Sequence, residues 1–203
     1  YSLSPEAKFP VAIEQCAALA RHLLDHGADD QVDGTRLALA GDSGGATICL
    51  ATTLALRDQA DAGQPAVDLA ALALYYGMYG LRDSASRRLL GGPWDGLTDA
   101  DIAYYLDCYL ADPADLRHPY VDCLSADLSN RIPPTYLVAA ELDPLRDDTA
   151  TLAAMLTECG VPCSHEVVPG VLHAFLHNSR MLDAAGDALA HGGAFLRRAL
   201  NKE

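Results

Sequence analysis

The sequence predicts an α/β fold in which a mostly parallel sheet carries helices on both faces. Apolar runs of strand length alternate with stretches of helical periodicity four times along the chain. Two of those runs, 69–75 and "TYLVAA" at 135–140, are continuously apolar, as expected of strands covered on both faces. The 203 residues, half of them hydrophobic, are enough for one domain with a sizeable core.

The elements follow in order. Phe9-Pro10 opens a helix, with proline at a favoured first-turn position. Its apolar face is expected to be Ile13, Cys16, Leu19, Ala20, Leu23 and Leu24, and Gly27 closes it. A strand at 37–40 runs into a helix from about Gly45 to Arg57. After the strand at 69–75, residues 77–97 read as irregular. Thr98 with Asp101 then forms a capping-box pattern for a further helix. The span 76–134 is read as an irregular and helical insertion before the strand at 135–140. A helix from about Asp147 to Cys159, a strand at 164–168 and a last helix with Leu182, Leu189, Leu196 and Leu200 on one stripe complete the chain.

Charge narrows the function classes. Lys plus Arg number 14 against 28 Asp plus Glu, a formal net charge of −14. Such a chain is a poor partner for phosphate backbones or anionic lipid, so neither nucleic acid nor membrane is expected. No apolar stretch approaches the roughly 20 residues that span a bilayer. The six cysteines form no C-x-x-C pair and lie scattered on apolar faces, which reads as reduced core cysteine in a cytoplasmic protein. There is no zinc or calcium ligand spacing, and no metal or cofactor is expected.

In parallel α/β sheets ligands bind outside the carboxyl ends of the strands. Gly41-Asp42-Ser43-Gly44-Gly45 follows the first strand, Glu141-Leu142-Asp143 the third and Pro169 to His173 the fourth. A serine, a carboxylate and a histidine are thus expected on one sheet edge. Gly41-x-Ser43-x-Gly45 has the nucleophile-elbow pattern, whose glycines should leave no room for a side chain at 41 or 45. The turn would aim the Gly44 backbone N–H at a developing oxyanion. Of the seven histidines, His173 alone lies just past a strand's carboxyl end, with His177 the second candidate base. Asp143 is the expected acid, Glu141 lies closer to its strand, and Asp147 and Asp148 are expected to cap the following helix. Tyr76, Tyr79 and Trp94 after the second strand, and Leu172 beside His173, are candidate pocket residues.

"YSLSPEAKFPVAIEQC", "GDSGGA", "AELDPLRDD" and "PGVLHAFLH" together resemble the hormone-sensitive-lipase-like branch (bacterial family IV) of α/β-hydrolase serine esterases. "YYGMYGLRDSASRRLLGGPWDGLT" is similar to bacterial acetyl esterases of that branch. The resemblance covers essentially the whole chain. It implies Ser43 as nucleophile, Asp143 as acid and His173 as base, without metal or cofactor. The expected substrate is a small-molecule, short-chain acyl ester, acetyl favoured. An amidase or deacetylase with the same triad, or a non-catalytic binder on a hydrolase fold, are the rival readings.

The branch also carries an upstream His-Gly-Gly-Gly motif, a cap and a strand flanking 37–40. None is among these residues, which open on Tyr1. The chain is therefore expected to be the C-terminal two-thirds of a single catalytic domain. By itself it should expose an open sheet edge that pairs with another copy, and turn over esters poorly.

Overall fold

A computed structural model gives the architecture; it describes residues 1–94 and 96–201. Four strands, β1 (Leu37–Asp42), β2 (Leu69–Tyr75), β3 (Thr135–Leu142) and β4 (Cys163–Leu172), form a sheet in the order β1-β2-β3-β4. All three pairings are parallel. The helices are α1 (Val11–His26), α2 (Gly44–Asp61), α3 (Ala85–Leu90), α4 (Asp99–Tyr109), α5 (Arg146–Glu158) and α6 (Asp183–Asn201).

Strand alternation builds two cores. Leu72, Leu74 and Leu137 face a cluster with Ile13, Leu50, Leu54, Leu152 and Leu156, from α1, α2 and α5. Their neighbours Ala73, Tyr75, Tyr136 and Val138 face the other way, against Phe175, Ala185 and Ala188 on the α6 side. The sheet is thus covered on both faces.

Several elements differ from the sequence reading. β1 runs on to Asp42 and β4 to Leu172, beyond their apolar runs, because Gly41 and Asp42 still pair with β2 and, past an irregularity after Val168, Leu172 pairs with Leu142. Residues 77–97 contain the helix α3, capped by the Ser84 side chain. The Thr98–Asp101 capping box forms at the head of α4. In α1, Leu19 is exposed, and Ala12, Ile13, Ala17 and Ala20 are the buried positions. The leucine stripe is only partly the buried face of α6: Leu196 packs against the core, Leu189 is exposed, as is Leu182 just before the helix, and the buried positions are Ala185, Ala188 and Gly192. A side chain at Gly192 would fall on the Tyr75 hydroxyl.

The register aligns the carboxyl ends of the strands. Asp42 pairs with Tyr75, Tyr75 with Val138, and Leu142 with Leu172. The residues that leave the four strands are therefore Ser43, Tyr76, Asp143 and His173, all on one edge of the sheet. Among the described residues no helix is long and apolar enough to cross a membrane. The six cysteines are free thiols.

Candidate active site

Ser43 stands between β1 and α2 with φ +50° and ψ −122°, a backbone state unfavourable for a side-chain-bearing residue. Its N–H donates to the Tyr75 carbonyl (2.9 Å), and its carbonyl accepts from Ala46 and Thr47 N–H as α2 begins. The turn is tight on one side only. A Cβ at Gly41 would lie 2.5 Å from the Gly45 carbonyl, whereas a Cβ at Gly44 or Gly45 meets nothing within 4 Å. The expectation that both flanking glycines are sterically required thus holds for Gly41 and fails for Gly45, whose Cα faces open space.

Ser43 Oγ lies 2.8 Å from His173 Nε2, and His173 Nδ1 lies 2.8 Å from Asp143 Oδ2. Asp143 is fully buried, and its second oxygen accepts the Leu145 N–H at 2.8 Å. This grip on both carboxylate oxygens fixes the plane in which the imidazole sits. His173 is itself only 6% exposed.

Tyr76 packs on the histidine, and further contacts hold Tyr76 and the end of β4 in place. The Tyr76 ring meets the imidazole edge-on at 4.9 Å and Phe175 at 5.5 Å. The Tyr76 hydroxyl donates to Asp42 Oδ2 at 3.3 Å, and His177 Nε2 lies 3.1 Å from the same oxygen. Burial, reinforced by Asp42, pushes the Tyr76 phenol well above its usual range, so it stays protonated and can donate. Glu141 accepts the Gly170 N–H at 2.7 Å, pinning the end of β4 where its register with β3 shifts.

The candidates sort as follows. Ser43, His173 and Asp143 come together. His177 binds Asp42 and does not face the serine. Glu141 holds backbone. Asp147 and Asp148 do not cap α5, whose N-cap is Leu145. Asp147 accepts the Ser86 N–H, while Asp148 Oδ1 accepts the N–H groups of Tyr79, Gly80 and Leu81.

A cavity of about 260 Å³ opens beside Ser43 and Gly44, walled by Met78, Ile102, Leu106 and Leu145 among others. None of the four expected pocket residues lines it. Tyr76 lies under the imidazole, and Tyr79 is fully buried in the core cluster with Leu50, Leu54 and Leu152. Trp94 is 65% exposed against Gly92, and Leu172 stays in β4 opposite Leu142. The true lining comes from α2, α4 and loops, where sequence spacing carries no signal for a shared wall. Asp42, the unremarked second residue of the elbow, was legible only as a carboxylate next to the serine.

A family model described as an alpha/beta hydrolase fold matches residues 1–177. The chain belongs to the alpha/beta-hydrolase family. It is also similar to solved structures of esterases, in keeping with the hormone-sensitive-lipase-like branch that its motifs resemble. An esterase from Pyrobaculum calidifontis is 31% identical with a TM-score of 0.87, the match covering 100% of this chain and 64% of that one. A thermostable esterase from Pseudomonas putida is 28% identical at TM-score 0.88, covering 98% and 62%. A thermophilic carboxylesterase from a metagenomic library is 28% identical at TM-score 0.91, covering 98% and 67%. This alpha/beta hydrolase thus spans about two-thirds of the length of these relatives.

Proposed function

We propose that the chain carries the catalytic triad of a serine carboxylesterase acting on short-chain acyl esters, acetyl favoured. The observation that carries the reading is the unbroken relay from Ser43 Oγ through His173 to buried Asp143, beside an apolar cavity. The esterase relatives support the same class.

In this reading Ser43 Oγ attacks the ester carbonyl carbon, and its proton passes to His173 Nε2. Asp143 stabilises the imidazolium through Nδ1–H. The Gly44 N–H, first of helix α2, has no intrahelical partner and is placed to donate to the oxyanion. Collapse of the tetrahedral adduct breaks the ester C–O bond, and the alcohol leaves with the proton from Nε2. Water then attacks the acyl-serine, giving its proton to His173. The carboxylic acid departs as Ser43 regains its proton. No step calls on a metal or cofactor.

Hydrolysis of p-nitrophenyl acetate compared with an acetanilide tests the reading, with Ser43→Ala as control. Ester turnover abolished by the substitution is expected. Preferential cleavage of the anilide would point instead to an amidase or deacetylase. Absence of either would leave a binding protein on a hydrolase fold.

A further inference from the structure

A second cavity of about 320 Å³, open to solvent beside the exposed residues Arg82, Asp99 and Ala103, adjoins the first. The two share three side chains: Met78, Ile102 and Leu106. Ile102 and Leu106 are one turn apart on α4, and Met78 faces them from the segment after β2. The Thr47 hydroxyl of α2 donates to the Met78 carbonyl at 2.7 Å, which fixes the methionine backbone and leaves its side chain to fill the gap. Met78 and Leu106 are only half-buried, as expected of side chains with open space nearby, whereas Ile102 is 7% exposed.

The rear cavity is walled largely by apolar groups, including Leu81, Ala103, Leu116 and Val121. Its four charged members are Arg82, Arg87, Asp99 and Asp122, and both arginines have partners. Arg82 donates to the Leu116 carbonyl at 3.2 Å, and Arg87 faces Asp148 at 3.7 Å. Small-molecule pockets commonly measure about 300–1,000 Å³. The front cavity alone falls just short of that range, and the two joined would sit well inside it.

Resting on the esterase reading above, we propose that the Met78–Ile102–Leu106 wall sets the acyl-length limit. The cavity behind it is a latent compartment for the tail of a longer acyl chain. An acetyl or butanoyl group ends in front of the wall. A longer chain meets it, and Met78, an unbranched thioether with three rotatable bonds, is the member able to yield.

The test uses p-nitrophenyl esters from acetate to octanoate with the wild-type chain, Met78→Ala, Ile102→Val and the double variant Met78→Ala/Ala103→Trp. Ala103 lines only the rear cavity, so tryptophan there refills it. Each further buried methylene is worth about fourfold. Seating two of them behind the wall should raise the octanoate-to-acetate ratio of kcat/KM about fifteenfold in Met78→Ala. The rise should be smaller in Ile102→Val and cancelled in the double variant.

Calorimetric titration with octan-1-ol reads the wall without turnover and should show the same order of affinities. Ester hydrolysis with neither octanoate nor octanol responding to Met78→Ala, in protein whose circular dichroism matches wild type, would overturn the wall and leave the esterase standing. No ester hydrolysis by the wild type, with the octanol response intact, would overturn the esterase and leave the wall.

Discussion

At the level of single residues, the elbow's glycines do different work. Gly41 lies against the Gly45 backbone and has no room for a methyl group, while Gly44 and Gly45 face open space. Gly41→Ala should therefore cost most of the ester turnover and lower the thermal midpoint, and Gly45→Ala should retain activity within a few-fold. Assay beside calorimetric melting checks both. The two histidines of the base loop separate in the same way. Ser43→Ala, His173→Ala and their double variant should lose turnover to a similar extent, because the triad acts as a unit. Asp143→Asn should be about 10⁴-fold slower through the wrong imidazole tautomer. His177→Ala removes only an exposed partner of Asp42 and should keep most of the rate. A kcat loss for His177→Ala as large as that for His173→Ala would contradict this assignment.

Among the elements, α5 is tied to the segment after β2 by a buried carboxylate. Asp148 is fully buried, takes three consecutive backbone N–H groups on one oxygen and faces Arg87 with the other. Burial outweighs these partners and raises its pKa above the ordinary carboxylate value. The folded chain therefore holds this proton more tightly than the unfolded chain. The stability this adds is full below about pH 3.9 and is lost as pH rises through the higher folded value. Urea midpoints measured across that acid range should show a downward contribution, at most about 1.4 kcal/mol per pH unit, that Asp148→Asn removes. The same carboxylate shows where the sequence stopped being legible. The strands were readable because 69–75 and 135–140 are unbroken apolar runs, and the triad because Ser43, Asp143 and His173 each follow a strand. An aspartate in a helix's first turn looks like a cap from local spacing; only the fold brings Tyr79 to Leu81 within its reach. The buried face of α6 was partly hidden likewise, since leucines mark an apolar stripe but only the fold brings the Tyr75 hydroxyl against Gly192.

For the molecule as a whole, the sheet's two edges are unequal. β4 carries Pro169 and the register shift near its end, features that discourage further strand pairing. β1 has no proline and its register shift lies at its start, between Leu37 and Ala38; none of its six residues is buried, although five of them are Leu, Ala or Gly. We propose that these 203 residues, expressed alone, associate through β1. Light scattering should then give a mass that rises with concentration, and Ala40→Lys on the exposed position of that strand should lower it; a strict monomer at all concentrations would refute this. The uneven edges also bear on the chemistry. Ser43 is suspended from the strand that is least enclosed, while its partner histidine, 130 positions away, follows a strand with far more contacts to its neighbour. Opening of β1 alone would part nucleophile from base while leaving β2, β3 and their helices intact. Amide protons of β1 should accordingly exchange with deuterium ahead of those of β2. In these 203 residues expressed alone, low urea should abolish ester turnover before helical circular dichroism declines, so that an activity assay reports the integrity of one strand rather than of all four.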